Sequence, residues 1–156
     1  MSRRSTPINR FYISDPIYKS FLVHKSVNHI IIRGKKSLSY RIVYDVLYQI
    51  QNETHRNPFT ILEHAVRMTT PVVQLKARRI GGTTYQVRVE VCSNRGTRIA
   101  LFWILRSARK RPEPNIAQQL SAELLDAIRR IGNSIRKREE IHRIAEANKA
   151  FTRYRF

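Results

Sequence analysis

The residues of this sequence best placed to do chemistry are cations gathered beside small residues. Lys76-Ala77-Arg78-Arg79 stands one residue before Gly81-Gly82. Glycines let backbone N–H groups approach phosphate oxygens, and ammonium and guanidinium groups hold the remaining anionic surface. A plain solvated hairpin protects its edge with one or two lysines, so this density of charge points to a polyanion. Arg106, Arg109, Lys110 and Arg111 close a later helical stretch. Two of them would be enough to complement the helix dipole, which leaves two for a partner. Lys35-Lys36 lies between two apolar-patterned stretches and reads equally as a polar loop or as a phosphate contact. Arg136-Lys137-Arg138 adds charge, as does the closing Arg153-Tyr154-Arg155-Phe156. The rings of that last segment can stack on unpaired bases or pack on the body of the protein.

Catalytic and metal chemistry lack comparable support. The histidines are His24, His29, His55, His64 and His142, and none belongs to an HExxH or a paired Cys/His set. His142 and Glu146 are spaced i,i+4, but two ligands do not make a metal site. Cys92 is the sole cysteine, so neither an intramolecular disulfide nor a CxxC site can form, in keeping with a reducing compartment. There is no GxGxxG, no GxxxxGK[ST] and no GxSxG. Carboxylates are too few and too scattered for metal-assisted nuclease chemistry. We therefore expect no catalytic residue, no metal and no cofactor.

The overall balance agrees. Thirty Lys and Arg against eleven Asp and Glu give a formal charge of +19, whereas solubility asks for a magnitude of about 2–8 in a small domain. Such a chain repels itself unless an anion neutralises it. The candidate partners are nucleic acid, an anionic membrane surface or a polyacidic protein, with nucleic acid preferred. The 156 residues, 42% of them hydrophobic, suit one compact domain with its own core. No apolar run approaches the roughly 18 residues of a membrane span. Met1 to Arg10 is basic without an apolar core, unlike a signal peptide.

These cations must be positioned by a mainly α fold. We expect about six helices in one bundle-like domain with a protruding two-stranded β-hairpin at about 72–91. Residues 1–16 read as a basic N-terminal arm and 149–156 as a C-terminal tail. Helical spacing of apolar residues predicts a first helix over about Ile17–Ile32, ended by Gly34. A second follows an N-cap at Ser37 and carries Leu38, Ile42, Val43, Val46, Leu47 and Ile50. A third follows Asn57, with Pro58 in its first turn, and stops at Pro71. The fourth covers about Arg95–Lys110. The fifth runs from Asn115 to Gly132 and the sixth from Asn133 to about Ala150, with Glu139 and Arg143 spaced for an ion pair. Between the third and fourth helices the period changes to two: Val73, Leu75 and Ala77 alternate with polar residues, as do Tyr85, Val87, Val89 and Val91. Matching the apolar faces requires a three-residue loop, Gly81-Gly82-Thr83. Arg78 would then face Gln86, and Leu75 would face Val89.

Several motifs in this order resemble the universal small-subunit ribosomal protein seven family, of bacterial and plastid type. They are Ser14-Asp15-Pro16-Ile17-Tyr18, Arg33-Gly34-Lys35-Lys36-Ser37 and Thr70-Pro71 with Val73. Lys76-Ala77-Arg78-Arg79, Gly81-Gly82, Thr84-Tyr85-Gln86-Val87, Arg136-Lys137-Arg138-Glu139-Glu140-Ile141-His142 and Ala145-Glu146-Ala147-Asn148-Lys149-Ala150-Phe151 complete the set. Arg88, Gln74, Phe11-Tyr12 and the Phe102-Trp103 neighbourhood depart from the family pattern.

The resemblance implies a structural constituent of the small ribosomal subunit. It implies binding to the 3′ major domain of small-subunit rRNA and nucleation of head assembly. Neighbouring head proteins, exit-site tRNA and mRNA would lie nearby, and no membrane is involved. Together with the charge clusters it gives the expected rRNA contacts: Arg3, Arg4, Lys35, Lys36, Lys76, Arg78, Arg79, Arg95, Arg98, Arg109, Lys110, Arg111, Lys149, Arg153 and Arg155. The Arg-Tyr-Arg-Phe ending favours a plastid (chloroplast) ribosome over the bacterial cytoplasm. The rival reading is a free-standing architectural DNA-binding protein. An RNA-cleaving or RNA-modifying enzyme stands behind both.

Overall fold

The structure, a computed structural model, describes residues 14–154. Among them lie α1 (Phe21–Ile30), α2 (Lys36–Thr54), α3 (Pro58–Thr69), β1 (Val73–Ile80), β2 (Thr83–Glu90), α4 (Ser93–Ala108), α5 (Ile116–Ile128) and α6 (Asn133–Ala147). A 3-10 helix at Asn148–Tyr154 follows. This is the mainly α fold with one hairpin that the two periodicities predict.

Local chemistry sets the helix starts. At α3 the Asn57 side chain accepts from the Phe59 N–H at 3.0 Å, and Pro58 takes the first turn. α1 begins four residues later than the apolar pattern predicts. Asp15, buried, accepts from the N–H groups of Ile17 (3.1 Å) and Tyr18 (2.9 Å), which closes a turn instead of a helix. Lys19 then adopts a left-handed φ of 47°, and Ser20 caps the true start by accepting from Leu22 N–H at 3.1 Å. The Tyr44 hydroxyl donates to the second Asp15 oxygen at 2.9 Å, fastening this turn to α2. Burial, reinforced by that bond, pushes the Tyr44 phenol up to about 12.

α2 likewise starts at Lys36 and not after a Ser37 cap. Arg33 and Gly34 both take positive φ (52° and 75°), and this tight corner brings Lys35 to the cap position, where no side chain closes it. α4, α5 and α6 end two to four residues short of the expected positions.

α5 packs against α2, α3, α4 and α6 and so forms the centre of the bundle. The core joins Val23, Val27 and Ile30 of α1 to Val43, Val46, Leu47 and Ile50 of α2 and Ile61, Leu62, Ala65 and Val66 of α3. Ala100, Leu101, Ile104, Leu105 and Ala108 of α4 complete it with Leu120, Leu124 and Ala127 of α5 and Ile135 of α6. Burying a side chain such as Leu47 contributes about 1.5–3 kcal/mol relative to leaving it in water. Phe21, Leu38 and Ile131 carry the apolar stripes past the packed zone and stay exposed.

The hairpin corrects the expected register. Arg78 pairs with Tyr85 and Ile80 with Thr83, so the turn is the two residues Gly81-Gly82. Both glycines have positive φ (56° and 93°), the backbone that fits a two-residue turn to the twist of the strands. Lys76 and Arg78 therefore share a face with Tyr85, Val87 and Val89. Arg79 lies on the other face with Leu75, Ala77 and Arg88. Each face is mixed, and the basic charge is divided between the two. The mixture is tolerated because little of the ribbon is buried: Val73 and Val87 are covered, whereas Ala77 and the turn face solvent. The 3-10 helix at Asn148–Tyr154 carries residues 149–154 of the expected tail on from α6 along β2, with the Phe151 ring 4.8 Å from that of Tyr85.

Candidate nucleic-acid interface

The expected cations fall into three settings. The largest is built on α4. Its inward side is core, so its outward side is fixed: Arg95, Arg98, Phe102, Arg106 and Arg109 are all exposed. No Asp or Glu occurs anywhere in α4. At one edge, Arg109 meets Arg33 and Lys35 around a groove floored by Ile32, Leu38 and Ile116. Lys36, also exposed, lies over the Tyr40 ring at 5.8 Å. At the other edge, Trp103, Arg106 and Lys110 face Arg136 and Lys137 of α6 across a second groove. Its carboxylate, Glu140, is taken by Lys137 at 2.7 Å, which holds its acid below the usual carboxylate range. α4 thus gathers cations from three separate stretches of sequence into one basic face.

The hairpin is the second setting. Lys76 and Arg79 are exposed on opposite faces, and Arg78 is half-buried beside Tyr85. Lys149 is exposed on the 3-10 helix that flanks β2. α6 touches both strands near their base, where the Val72 N–H donates to His142 Nε2 at 3.4 Å. That bond needs an unprotonated ring nitrogen. Burial, followed by the nearby Arg138 and Arg88 charges, holds the His142 pKa below its ordinary 6.5. His29 is lowered in the same way, by burial and then by Arg98.

The third setting is the ion-paired node at Arg111. Its guanidinium donates from Nε to Glu123 at 2.9 Å and also reaches Asp126. Glu123 is fully buried, and its other oxygen accepts from the Ser134 N–H (3.0 Å) and hydroxyl (2.8 Å) at the start of α6. A Cβ on Gly132 would sit 2.8 Å from the same oxygen, so a side chain there would have to displace the buried carboxylate. Burial opposes the Arg111 charge, but its bonds to Asp126 and Glu123 outweigh that cost and raise its pKa. Arg111 thus has a structural role in the fold, holding the Glu123 and Asp126 carboxylates. Arg138, from the basic run in α6, likewise donates to the Met68 carbonyl and ties α6 to the end of α3.

Arg3, Arg4, Arg155 and the side chain of Arg153 lie outside the described residues. Arg33, Arg106, Arg136 and Lys137 join the site although they are absent from the rRNA contacts expected from sequence. The i,i+3/i+4 spacing from Arg95 to Arg109 is the signal available for Arg106. Only the packing of α4 against α6 reveals the two on α6. Among the described residues no cluster of three or more His, Cys, Asp or Glu is arranged to hold a metal, and no helix is long and apolar enough to cross a membrane.

The profile of the family "Ribosomal protein S7p/S5e" matches residues 2–149. Small ribosomal subunit protein uS7c of Nephroselmis olivacea is 50% identical over 155 residues, covering 99% of each chain. Its namesake in Chlorella vulgaris is 50% identical over 156 residues, covering 100% of each.

Proposed function

The chain belongs to the ribosomal protein S7p/S5e family, and from that premise we propose that it binds the 3′ major domain of small-subunit rRNA and nucleates assembly of the head. Membership makes it a structural, non-enzymatic constituent of the small ribosomal subunit. The plastid ribosome is its place of work, in keeping with the uS7c naming of both relatives.

The observation that carries the reading is the basic face of α4. It has no acidic residue, and it draws Arg33, Lys35, Arg136 and Lys137 to its edges. A helix packed on its inner side holds these groups at fixed spacing, so they fit a polyanion that is itself folded. The hairpin adds Lys76, Arg78 and Arg79 at a distance along the chain. We place it, with the C-terminal residues, towards exit-site tRNA and mRNA. The DNA-binding alternative has no observation of its own beyond positive charge.

A competition experiment tests the proposal. Labelled 3′ major domain RNA is bound to the chain and challenged with the 5′ domain of the same rRNA or with duplex DNA. The expected outcome is that neither competitor displaces it at equal concentration. Displacement by duplex DNA at equal concentration would favour the architectural alternative.

A further inference from the structure

We propose that the exposed ring of Phe102 is a stacking platform for an unpaired nucleobase, set in the middle of an arginine track along α4. The idea rests on the reading of the chain as an rRNA binder and assigns a base-recognising residue within that site.

Phe21, Tyr48 and Phe102 are large rings left exposed among the described residues, at 54%, 65% and 51%. Their surroundings differ. Tyr48 shares its groove with Asp45, and Phe21 opens α1. Phe102 has Arg98 one turn before it and Arg106 one turn after, with Arg95 and Arg109 beyond. At about 100° per residue, these five side chains fall within about 80° of arc and extend along about 21 Å of helix.

An aromatic ring half in water gains free energy when covered. An apolar protein surface laid over it would also cover the exposed Arg106 guanidinium one turn on and take that charge out of water. A polynucleotide satisfies both demands at once. Its phosphates take the arginines, and the π-face of a base covers the ring without regard to base identity. An unpaired base is required, because a base inside a duplex keeps its faces for its neighbours.

The test uses the full chain and a fragment of the 3′ major domain. Phe102→Ala and Phe102→Leu should each weaken binding by about five- to hundredfold, the range for removing one base–aromatic stack. The salt dependence should stay unchanged, since every cation is kept. Phe102→Trp should bind as well as the parent chain. Ultraviolet irradiation of the parent complex should join the peptide containing Phe102 to a single-stranded nucleotide. Thermal melting by circular dichroism checks that each variant folds.

Full retention of binding by Phe102→Leu would show that apolar cover suffices and would overturn stacking. Variants that bind the RNA normally but fail to enter reconstituted small subunits would make the ring a contact for a neighbouring protein, also against the proposal. A parent chain that ignored the fragment would remove the rRNA reading first, and this inference with it.

Discussion

The α4 face and the hairpin carry charge of the same sign on very different supports. The arginines of α4 project from a helix whose other side is locked into the core by Ala100, Leu101, Ile104, Leu105 and Ala108. The hairpin has two strands, with Val73 at its base and Val87 in mid-strand as its buried apolar residues among those described. A two-stranded ribbon is marginal alone, and this one leans on the Tyr85–Phe151 ring contact and on α6. On the proposed reading, the contrast teaches that a folded polyanion would be met in two ways. One surface holds cations at preset spacing. The other extends them on both faces of a two-stranded ribbon.

The strongest blow to this contrast falls on the frame behind α4. Arg111→Ala strands the buried Glu123 carboxylate and should cost about 3–5 kcal/mol, read as a fall in the denaturant midpoint. An unchanged midpoint would detach α4 and α6 from this node. Next come the cations themselves. Arg106 and Arg109 changed together to Gln, or Arg78 and Arg79 to Ala, should each flatten the salt dependence of rRNA binding, by about 0.7–0.9 for every phosphate left unneutralised. Stability should change by less than about 0.5 kcal/mol per site. The α4 pair should weaken affinity more, and equal effects would erase the distinction between the two surfaces.

Smaller effects sharpen the same line. Gly82→Ala forces a side chain to φ 93° and should cost about 1–2 kcal/mol. Hydrogen exchange should quicken in β1 and β2 while α4 keeps its protection. Smallest is a pH effect from His142 at the hairpin base and His29 in α1. His29 and His142 have folded pKa values below their ordinary 6.5, so the unfolded chain binds protons that the folded chain refuses. Their stabilising contribution is complete above pH 6.5 and declines as pH falls through the lower folded values. His142→Gln should weaken that decline, and a loss of Val72 amide protection relative to its intrinsic exchange rate at acid pH reports it directly.

Much of the fold is legible in the sequence, and each departure has a physical reason. The stripe Val43, Val46, Leu47, Ile50 predicts α2, and the change to a period of two predicts the hairpin. The register departs from apolar matching because turn chemistry outweighs it. Gly81-Gly82 closes a two-residue turn, and a solvent-facing tip does not require matched faces. The start of α1 departs from its apolar stripe because Asp15 takes two backbone N–H groups for its own turn. The face on α4 is half legible. Arg95, Arg98 and Arg109 can be read from the sequence, whereas Arg136 and Lys137 join only through tertiary packing. Arg111 cannot be told from Arg109 and Lys110 by sequence, since its partner Glu123 is twelve residues away and buried.

The most direct test of the central claim is a salt titration of binding to the 3′ major domain fragment. With roughly 6–10 phosphates neutralised, affinity should fall by about 10³–10⁵ between 50 and 200 mM monovalent salt. An affinity that barely changes over that range would contradict the account, because the cations gathered on α4 and the hairpin would then not be what holds the RNA.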